Sequence, residues 1–188
     1  MSIPSLATKR VLAIDPTTKG FGFAVLEGPE VLVDWGMKQV RGDLSRRNRR
    51  CLEEILKMIT RFQPDVLVVE RTGVKSCRRR RRARRLMVSL LALARSHRLR
   101  TRRVSRRSVQ RCFSETGSAT KRQIAVALSE RFPELGPHLP PERKPWMPED
   151  ERMGIFDAAA FGWKFYAPLR RERRALALLE EPSALSNA

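Results

Sequence analysis

The fold is decided by residues 11–25, which read Val11-Leu12-Ala13-Ile14-Asp15-Pro16-Thr17-Thr18-Lys19-Gly20-Phe21-Gly22-Phe23-Ala24-Val25. Four apolar residues lead directly into a carboxylate, which predicts a strand that is buried on both faces and ends at Asp15. Pro16 lacks the N–H that a continuing strand needs, and Gly20 and Gly22 mark a turn before a second, alternating strand. A carboxylate at the end of a central strand is held rigidly, as a metal site requires. The alternative is that Asp15 only begins a turn.

A second buried strand that ends in a carboxylate is predicted further along the chain, at residues 65–70, where Asp65-Val66-Leu67-Val68-Val69-Glu70 repeats the pattern of residues 11–15. If the helix between the two strands forms a right-handed crossover, the strands are parallel neighbours, and Asp15 and Glu70 emerge side by side. A third acid, Asp157, lies in an apolar helical stretch. A charge there is costly unless it is paired, bound to a metal or directed into a cleft.

The rest of the pattern predicts one α/β domain over residues 9–169, with partly disordered extensions at 1–8 and 170–188. Strands are expected at 10–15, 21–27, 31–40, 65–70 and 100–104. Helices are expected after Asp43 and at 78–99, 105–113, 120–132 and 150–166, and residues 133–148, which contain six prolines, are expected to form an irregular loop. We therefore predict a mixed sheet of about five strands, a three-strand antiparallel meander plus parallel strands, flanked by helices.

The charge of the chain points to a polyanionic partner. The 188 residues carry a net charge of +19, and 17 of the 39 Lys and Arg residues lie between Glu70 and Glu115, where there is no Asp or Glu. Nucleic acid is the favoured partner, and an anionic membrane surface is the weaker one. A solvated charge run is the alternative. The candidate contacts in the densest stretch are Arg78, Arg79, Arg80, Arg81, Arg82, Arg84 and Arg85.

The cysteines and the hydropathy favour a cytoplasmic protein. Cys51, Cys77 and Cys112 are odd in number and lack the spacing of metal ligands, so we interpret them as reduced thiols. We expect neither a signal peptide nor a membrane span.

Three carboxylates that meet at the edge of a sheet would form an anionic hole in a cationic surface. Mg²⁺ prefers such oxygen ligands, and one or two ions, with Mn²⁺ as a substitute, would suit phosphodiester hydrolysis. The alternative is a structural cluster in which Asp15, Glu70 and Asp157 are bridged to arginines.

Four motifs resemble those of the RuvC-type Holliday-junction resolvases in the RNase H-like superfamily. Three are acidic: Ile14-Asp15-Pro16 followed by Gly20-x-Gly22, the strand end Val68-Val69-Glu70, and Asp157-Ala158-Ala159. The fourth, Ser108-Val109-Gln110-Arg111 continuing through Thr116-Gly117-Ser118-Ala119-Thr120-Lys121-Arg122-Gln123-Ile124, is similar to the segment before the last helix of that family. Lys121 occupies the position of a basic residue near the scissile phosphate. Lys19, in Thr17-Thr18-Lys19-Gly20, is similar to its counterpart in the YqgF-type relatives, which are associated with RNA processing, and we expect it to contact nucleic acid.

This resemblance implies a Mg²⁺-dependent endonuclease, homodimeric and nucleoid-associated in a bacterial or phage-type setting, that cuts branched DNA such as a four-way junction. Asp15, Glu70 and Asp157 would hold the metal, and Lys121 would assist at the phosphate. The family also has a fourth acid one helical turn before the position of Asp157. Met153 and Gly154 stand there, so Asp150 and Glu151 are the candidate replacements.

Two alternatives remain at the level of sequence. One is an RNA-processing nuclease of the same fold. The other is a nucleic-acid-binding module with a decayed active site, which the missing fourth acid suggests.

Overall fold

In the computed structural model, the described residues are 8–71, 81–114, 119–142, 144 and 146–168. They contain a five-stranded sheet in the order β3-β2-β1-β4-β5. The strands are β1 (Arg10–Pro16), β2 (Gly20–Glu27), β3 (Val31–Gln39), β4 (Val66–Glu70) and β5 (Arg100–Val104). β1 pairs antiparallel with β2, and β2 with β3, while β4 is parallel to both β1 and β5. The predicted mixed sheet is confirmed.

Helices cover both faces of this sheet. They are α1 (Leu44–Phe62), α2 (Arg81–Ser96), α3 (Arg106–Gln110), α4 (Lys121–Arg131) and α5 (Met153–Phe165). The side chain of Asp43 caps α1 by accepting a hydrogen bond from the Arg46 N–H, as the sequence predicts, and Thr120 caps α4 in a reciprocal pair with Gln123. None of the described helices combines the length and the apolar character needed to cross a membrane.

The alternation of side chains along β1 and β4 divides the core into two layers. Leu12 and Ile14 pack on the side of α1 and α2, whereas Val11 and Ala13 pack on the side of α4 and α5. β4 follows the same rule, because successive side chains of a strand point to opposite faces. A residue two positions beyond Ala13 therefore lies on the α5 side of the sheet.

The proline-rich region differs from its prediction. Residues 133–138 form a 3-10 helix instead of irregular loop, and Leu135 within it is fully buried against the α4–α5 layer. Pro133 is compatible with the first turn of a helix, where its missing N–H is not needed. The last helix also begins later than expected, at Met153 rather than at residue 150. The predicted extensions at 1–8 and 170–188 lie, apart from Thr8, outside the described residues.

Helix α5 approaches the sheet closely where its Gly154 meets Gly22 of β2. A Cβ atom added to Gly22 would lie 2.1 Å from the carbonyl oxygen of Gly154, a distance that only a shift of backbone could relieve. Gly22 is also the residue on β2 that pairs with Asp15. The absence of a side chain at Gly22 therefore lets the first turn of α5 lie directly beside the end of β1.

We expect Gly22→Ala to destabilise the protein by about 3 kcal/mol or more, because overpacking forces α5 away from the sheet. The matched control is Gly136→Ala, where an added Cβ would have no neighbour within 4 Å. Thermal unfolding of the two variants measures the difference. Equal melting temperatures would contradict the close approach of α5.

Candidate active site

The parallel strands β1 and β4 bring two carboxylates to the same edge of the sheet. Their register pairs Ile14 with Val69, so Asp15 and Glu70 follow at adjacent positions. Both fall on the face that carries α5. Asp15 is only 9% exposed, although it is the last residue but one of its strand. The predicted juxtaposition of these two acids is therefore present in the fold.

Asp157 joins them from α5, the helix that packs on this face of the sheet. It lies in α5, where all ten residues from Gly154 to Trp163 are buried, and it is itself 8% exposed. Ala158, Ala159 and Ala160, which follow it, are buried as well, and such small residues let the helix lie close to the sheet. A buried carboxylate needs hydrogen-bond or charge partners, so the groups that contact Asp157 determine the chemistry of the site.

The main partner of Asp157 is Arg106, a residue that sequence reasoning did not single out. Its Nη1 lies 2.8 Å from Oδ1 of Asp157 and its Nη2 lies 3.2 Å from Oδ2. Its Nε donates to Oε1 of Glu70 at 3.3 Å. One guanidinium thus bridges two of the three predicted metal ligands. One feature of the sequence could have identified Arg106: it follows β5 by two residues, and because β5 is parallel to β4, the carboxyl ends of both strands lie at the same edge of the sheet.

Lys121 is the second cation of the site. It is the first residue of α4, and its Nζ lies 2.9 Å from Oδ2 of Asp157. The same ammonium donates to Oε1 of Glu149, an acid that the sequence analysis passed over in favour of its neighbours. Lys121 therefore lies between two acids, one on α5 and one in the loop before it.

Burial and like charge raise the pKa of Asp15 well above its usual range. Desolvation is the largest cause, followed by the charges of Asp157 and Glu70, and Arg106 and Lys121 oppose the shift. Burial alone would lower the pKa of Arg106, but its hydrogen bonds and charge pairing with Asp157, together with Glu70 and Asp15, raise it instead. At Asp15 the repulsion from Asp157 and Glu70 outweighs the attraction by Arg106 and Lys121, so negative charge is in excess around this carboxyl group.

This excess charge suits a divalent cation. The donor set consists of carboxylate oxygens, which Mg²⁺ and Mn²⁺ prefer. Among the described residues, however, no three acidic, His or Cys side chains lie close enough together to hold an ion in this conformation. The guanidinium of Arg106 lies between Glu70 and Asp157 instead. The chemistry of the residues fits a divalent metal, provided that Arg106 moves.

No acid precedes Asp157 by one turn, since Met153 and Gly154 stand there. A Cβ on Gly154 would lie 2.9 Å from Sδ of Met37 and 3.1 Å from Cγ2 of Thr17, so a longer side chain at position 154 would have to displace those side chains. Asp150 binds Arg152, with Oδ2 at 2.7 Å from Nη2. Glu151 lines the same cleft as the three acids.

The basic residues named from the sequence separate into different roles. Arg82 is buried and not a surface contact: it is 7% exposed, with Nη1 2.5 Å from the carbonyl oxygen of Thr17 and Nη2 3.2 Å from Sγ of Cys51. Arg84 and Arg85 are exposed on α2. Arg78, Arg79, Arg80 and Cys77 lie outside the described residues, and the side chain of Arg81 is not described.

Lys19 is tied to the acidic loop before α5. Its Nζ lies 2.7 Å from Oε1 of Glu151, and Gln39 donates to Oε2 of the same acid at 2.6 Å. The side chain of Lys19 is 64% exposed, so it lies at the rim of the site.

The acids and cations line one cleft of about 490 Å³. Asp15, Glu70 and Asp157 form its floor together with Arg106. Its sides combine Arg84 and Lys121 with the acids Glu149, Asp150 and Glu151. A cleft of this size, in which carboxylates and cations lie side by side, can hold a metal ion and a phosphate group at the same time.

Three solved structures show how this architecture compares with known proteins. The Thermus thermophilus RuvC structure matches with a TM-score of 0.63 at 19% identity, covering 86% of this chain and 96% of that chain. T. thermophilus RuvC in complex with a Holliday junction substrate gives a TM-score of 0.64 at 18% identity, with the same coverage of 86% and 96%. The yeast mitochondrial Holliday junction resolvase Ydc2 gives 0.58 at 15% identity, covering 94% and 89%.

The resemblance to the RuvC-type resolvases is thereby confirmed at the level of the fold. No protein-family model matches the sequence, and no curated protein matches it.

The raised pKa of Asp15 predicts that Asp15→Asn stabilises the protein at neutral pH. A carboxyl whose pKa is higher in the folded state than in the unfolded state costs stability once the pH exceeds its unfolded value, near 3.8. We expect the melting temperature to rise by at least about 2 °C at pH 7, and the gain to disappear as the pH approaches 4.

The control is Asp34→Asn in β3, where the amide oxygen can still accept the hydrogen bond from the Trp35 N–H. Its melting temperature should stay close to that of the wild type. A lower melting temperature of Asp15→Asn at pH 7 would contradict the electrostatic description of the site.

Proposed function

We propose that this protein is a Mg²⁺-dependent endonuclease that hydrolyses phosphodiester bonds in branched DNA, with four-way junctions as its preferred substrate. The observation that carries the proposal is the meeting of Asp15, Glu70 and Asp157 on the floor of one cleft that also contains Arg84, Arg106 and Lys121. Acids that are separated by most of the chain have no structural need to share a buried site, since their mutual repulsion opposes folding.

Within this proposal, Asp15, Glu70 and Asp157 hold one or two Mg²⁺ ions, with Mn²⁺ as a substitute. Bound metal supplies a Lewis acid that activates water and offsets charge at the phosphate. Lys121 binds a non-bridging phosphate oxygen and stabilises the charge that grows there as water attacks and the 3′ oxygen leaves. The burial of Asp15 and Asp157 fixes the direction of their oxygens and keeps bulk water from them.

All three acids of the loop before α5 are paired with cations. Asp150 and Glu151, the candidates from the sequence, bind Arg152 and Lys19 respectively. Glu149 shares the ammonium of Lys121 with Asp157. We therefore assign Glu149 to the positioning of Lys121, and Asp150 and Glu151 stay the candidates for a fourth metal ligand.

Branched DNA is favoured as the substrate by two considerations. The net charge of +19 suits a polyanion. The fold is shared with T. thermophilus RuvC, which has been seen with a Holliday junction substrate. We extend the analogy to a homodimer in the cytoplasm, associated with the nucleoid and acting in DNA recombination and repair. Residues 9–169 would form the nuclease domain.

The test is cleavage of a synthetic four-way junction in Mg²⁺ or Mn²⁺. We expect the wild type to cut it and Asp15→Asn to bind it without cutting, because the variant keeps the shape of the site but loses a metal ligand. Asp34→Asn serves as the control and should cut at the wild-type rate. Binding is measured in parallel by a mobility-shift titration.

Two outcomes would replace the proposal. If structured RNA is cut faster than the junction or duplex DNA, the protein is an RNA-processing nuclease of this fold. If the wild type binds junctions but does not cut in either metal, it is a binding module with a decayed site.

The exposed arginines of α2 predict a salt-dependent contact with DNA. Arg84 lines the cleft and Arg85 is the next residue of the helix and exposed, so the double variant Arg84→Ala/Arg85→Ala should reduce the slope of log affinity against log salt by roughly one to two. Arg95→Ala is the control, because this exposed arginine is at the far end of α2, about 16 Å along the helix. A slope unchanged in the double variant would make Arg84 and Arg85 solvated surface charges.

A further inference from the structure

Arg106 occupies the space where a cation would bind. Its guanidinium contacts Glu70 through Nε at 3.3 Å and both oxygens of Asp157, at 2.8 Å and 3.2 Å. These two acids come from different layers of the fold, β4 and α5. A single planar group thus uses the oxygens that the proposed function assigns to a divalent ion.

We propose that Arg106 is a resident cation of the cleft, which stabilises the acids when no metal is bound and is displaced when a divalent cation binds Glu70 and Asp157. This inference rests on the proposed function, because it concerns the same site. Arg106 is a positioning residue in this scheme, and it sets the affinity for the metal.

The carboxylate oxygens that Arg106 occupies favour an exchange over a joint occupancy. Arg106 already takes Oε1 of Glu70 and both oxygens of Asp157. A divalent ion bound to the same oxygens would lie within a few ångströms of the guanidinium, and the repulsion between the two cations opposes their joint occupancy of a buried site. The ion and the guanidinium of Arg106 therefore exclude each other.

The two internal cations differ in how readily they can leave the acids of the metal site. Lys121 also binds Glu149, so it keeps a carboxylate partner when Asp157 turns to a metal. Arg106 has contacts with Glu70 and Asp157, and both are proposed metal ligands. The metal competes with every ion pair of Arg106 but with only one of the two ion pairs of Lys121.

Arg106 also has a route out of the cleft. Its side chain is 30% exposed, in contrast to 11% for Asp157 and 18% for Glu70. It is carried by α3, a helix of five residues, and its Cζ lies 5.8 Å from the centre of the Phe161 ring. A long side chain on this short element can turn toward solvent without a change in the sheet.

The experiment measures binding of Mn²⁺ to the protein by calorimetry, at neutral pH and without DNA. We expect Arg106→Gln to lower the Kd at least about tenfold, because the metal no longer competes with a charge-assisted ion pair. Arg107→Gln is the matched control: Arg107 is the next residue on the same helix, exposed, with the same charge. Its Kd should match that of the wild type.

A structural role for Arg106 would move the Kd in the other direction, since loss of the bridge would let the acids separate. An unchanged or raised Kd for Arg106→Gln overturns the proposal. Should this variant fold poorly, Arg106→Lys provides the second test. One ammonium cannot contact both acids as the forked guanidinium does, so the Kd of Arg106→Lys should lie between that of the wild type and that expected for Arg106→Gln. The Mn²⁺-induced rise in melting temperature gives an independent measure of each Kd.

Failure of this inference is distinguishable from failure of the proposed function. A wild type that cuts junctions, with a Kd that Arg106→Gln does not lower, overturns only the role of Arg106. A wild type that binds no Mn²⁺ and cuts no junction overturns both.

Discussion

The contact between Gly22 and Gly154 is the constraint on which the site depends. Gly22 pairs with Asp15 across β1 and β2, and it is also where the backbone of α5 approaches the sheet. With no Cβ in the way, the helix begins beside the end of β1. Asp157 then follows one turn later, on the face toward Asp15 and Glu70. Met37 and Thr17 crowd the position of a Cβ on Gly154, so the close packing of α5 also disfavours an acid there.

Electrostatics oppose this packing, and the opposition indicates function. Three acids are brought together where burial disfavours their charged forms, and the raised pKa of Asp15 reports the cost. Arg106 and Lys121 reduce that cost without removing it. A cluster evolved for stability alone would pair its acids completely, whereas this one keeps an excess of negative charge at the floor of an open cleft. Such an arrangement resembles catalytic sites, in which stability is lost to place charge where chemistry needs it.

The sequence predicts the sheet and the meeting of the acids because both follow from local rules. Apolar runs that end in Asp15 and Glu70 identify buried parallel strands, whose ends share one edge. The roles of Arg106 and Arg82 could not be predicted in this way. In a chain with 39 Lys and Arg residues, composition does not tell which of them turn inward, and only tertiary packing selects them. Glu149 was missed for a related reason: the loop before α5 has no periodicity to show which of its acids contacts Lys121.

The most direct test is anomalous diffraction from crystals of the wild-type protein soaked in Mn²⁺. The account predicts an anomalous peak at the carboxyl ends of β1 and β4, bound by oxygens of Asp15, Glu70 and Asp157, with the guanidinium of Arg106 turned away from Glu70. A fully occupied cleft in which Arg106 still bridges Glu70 and Asp157, with manganese bound only elsewhere on the protein, would contradict it.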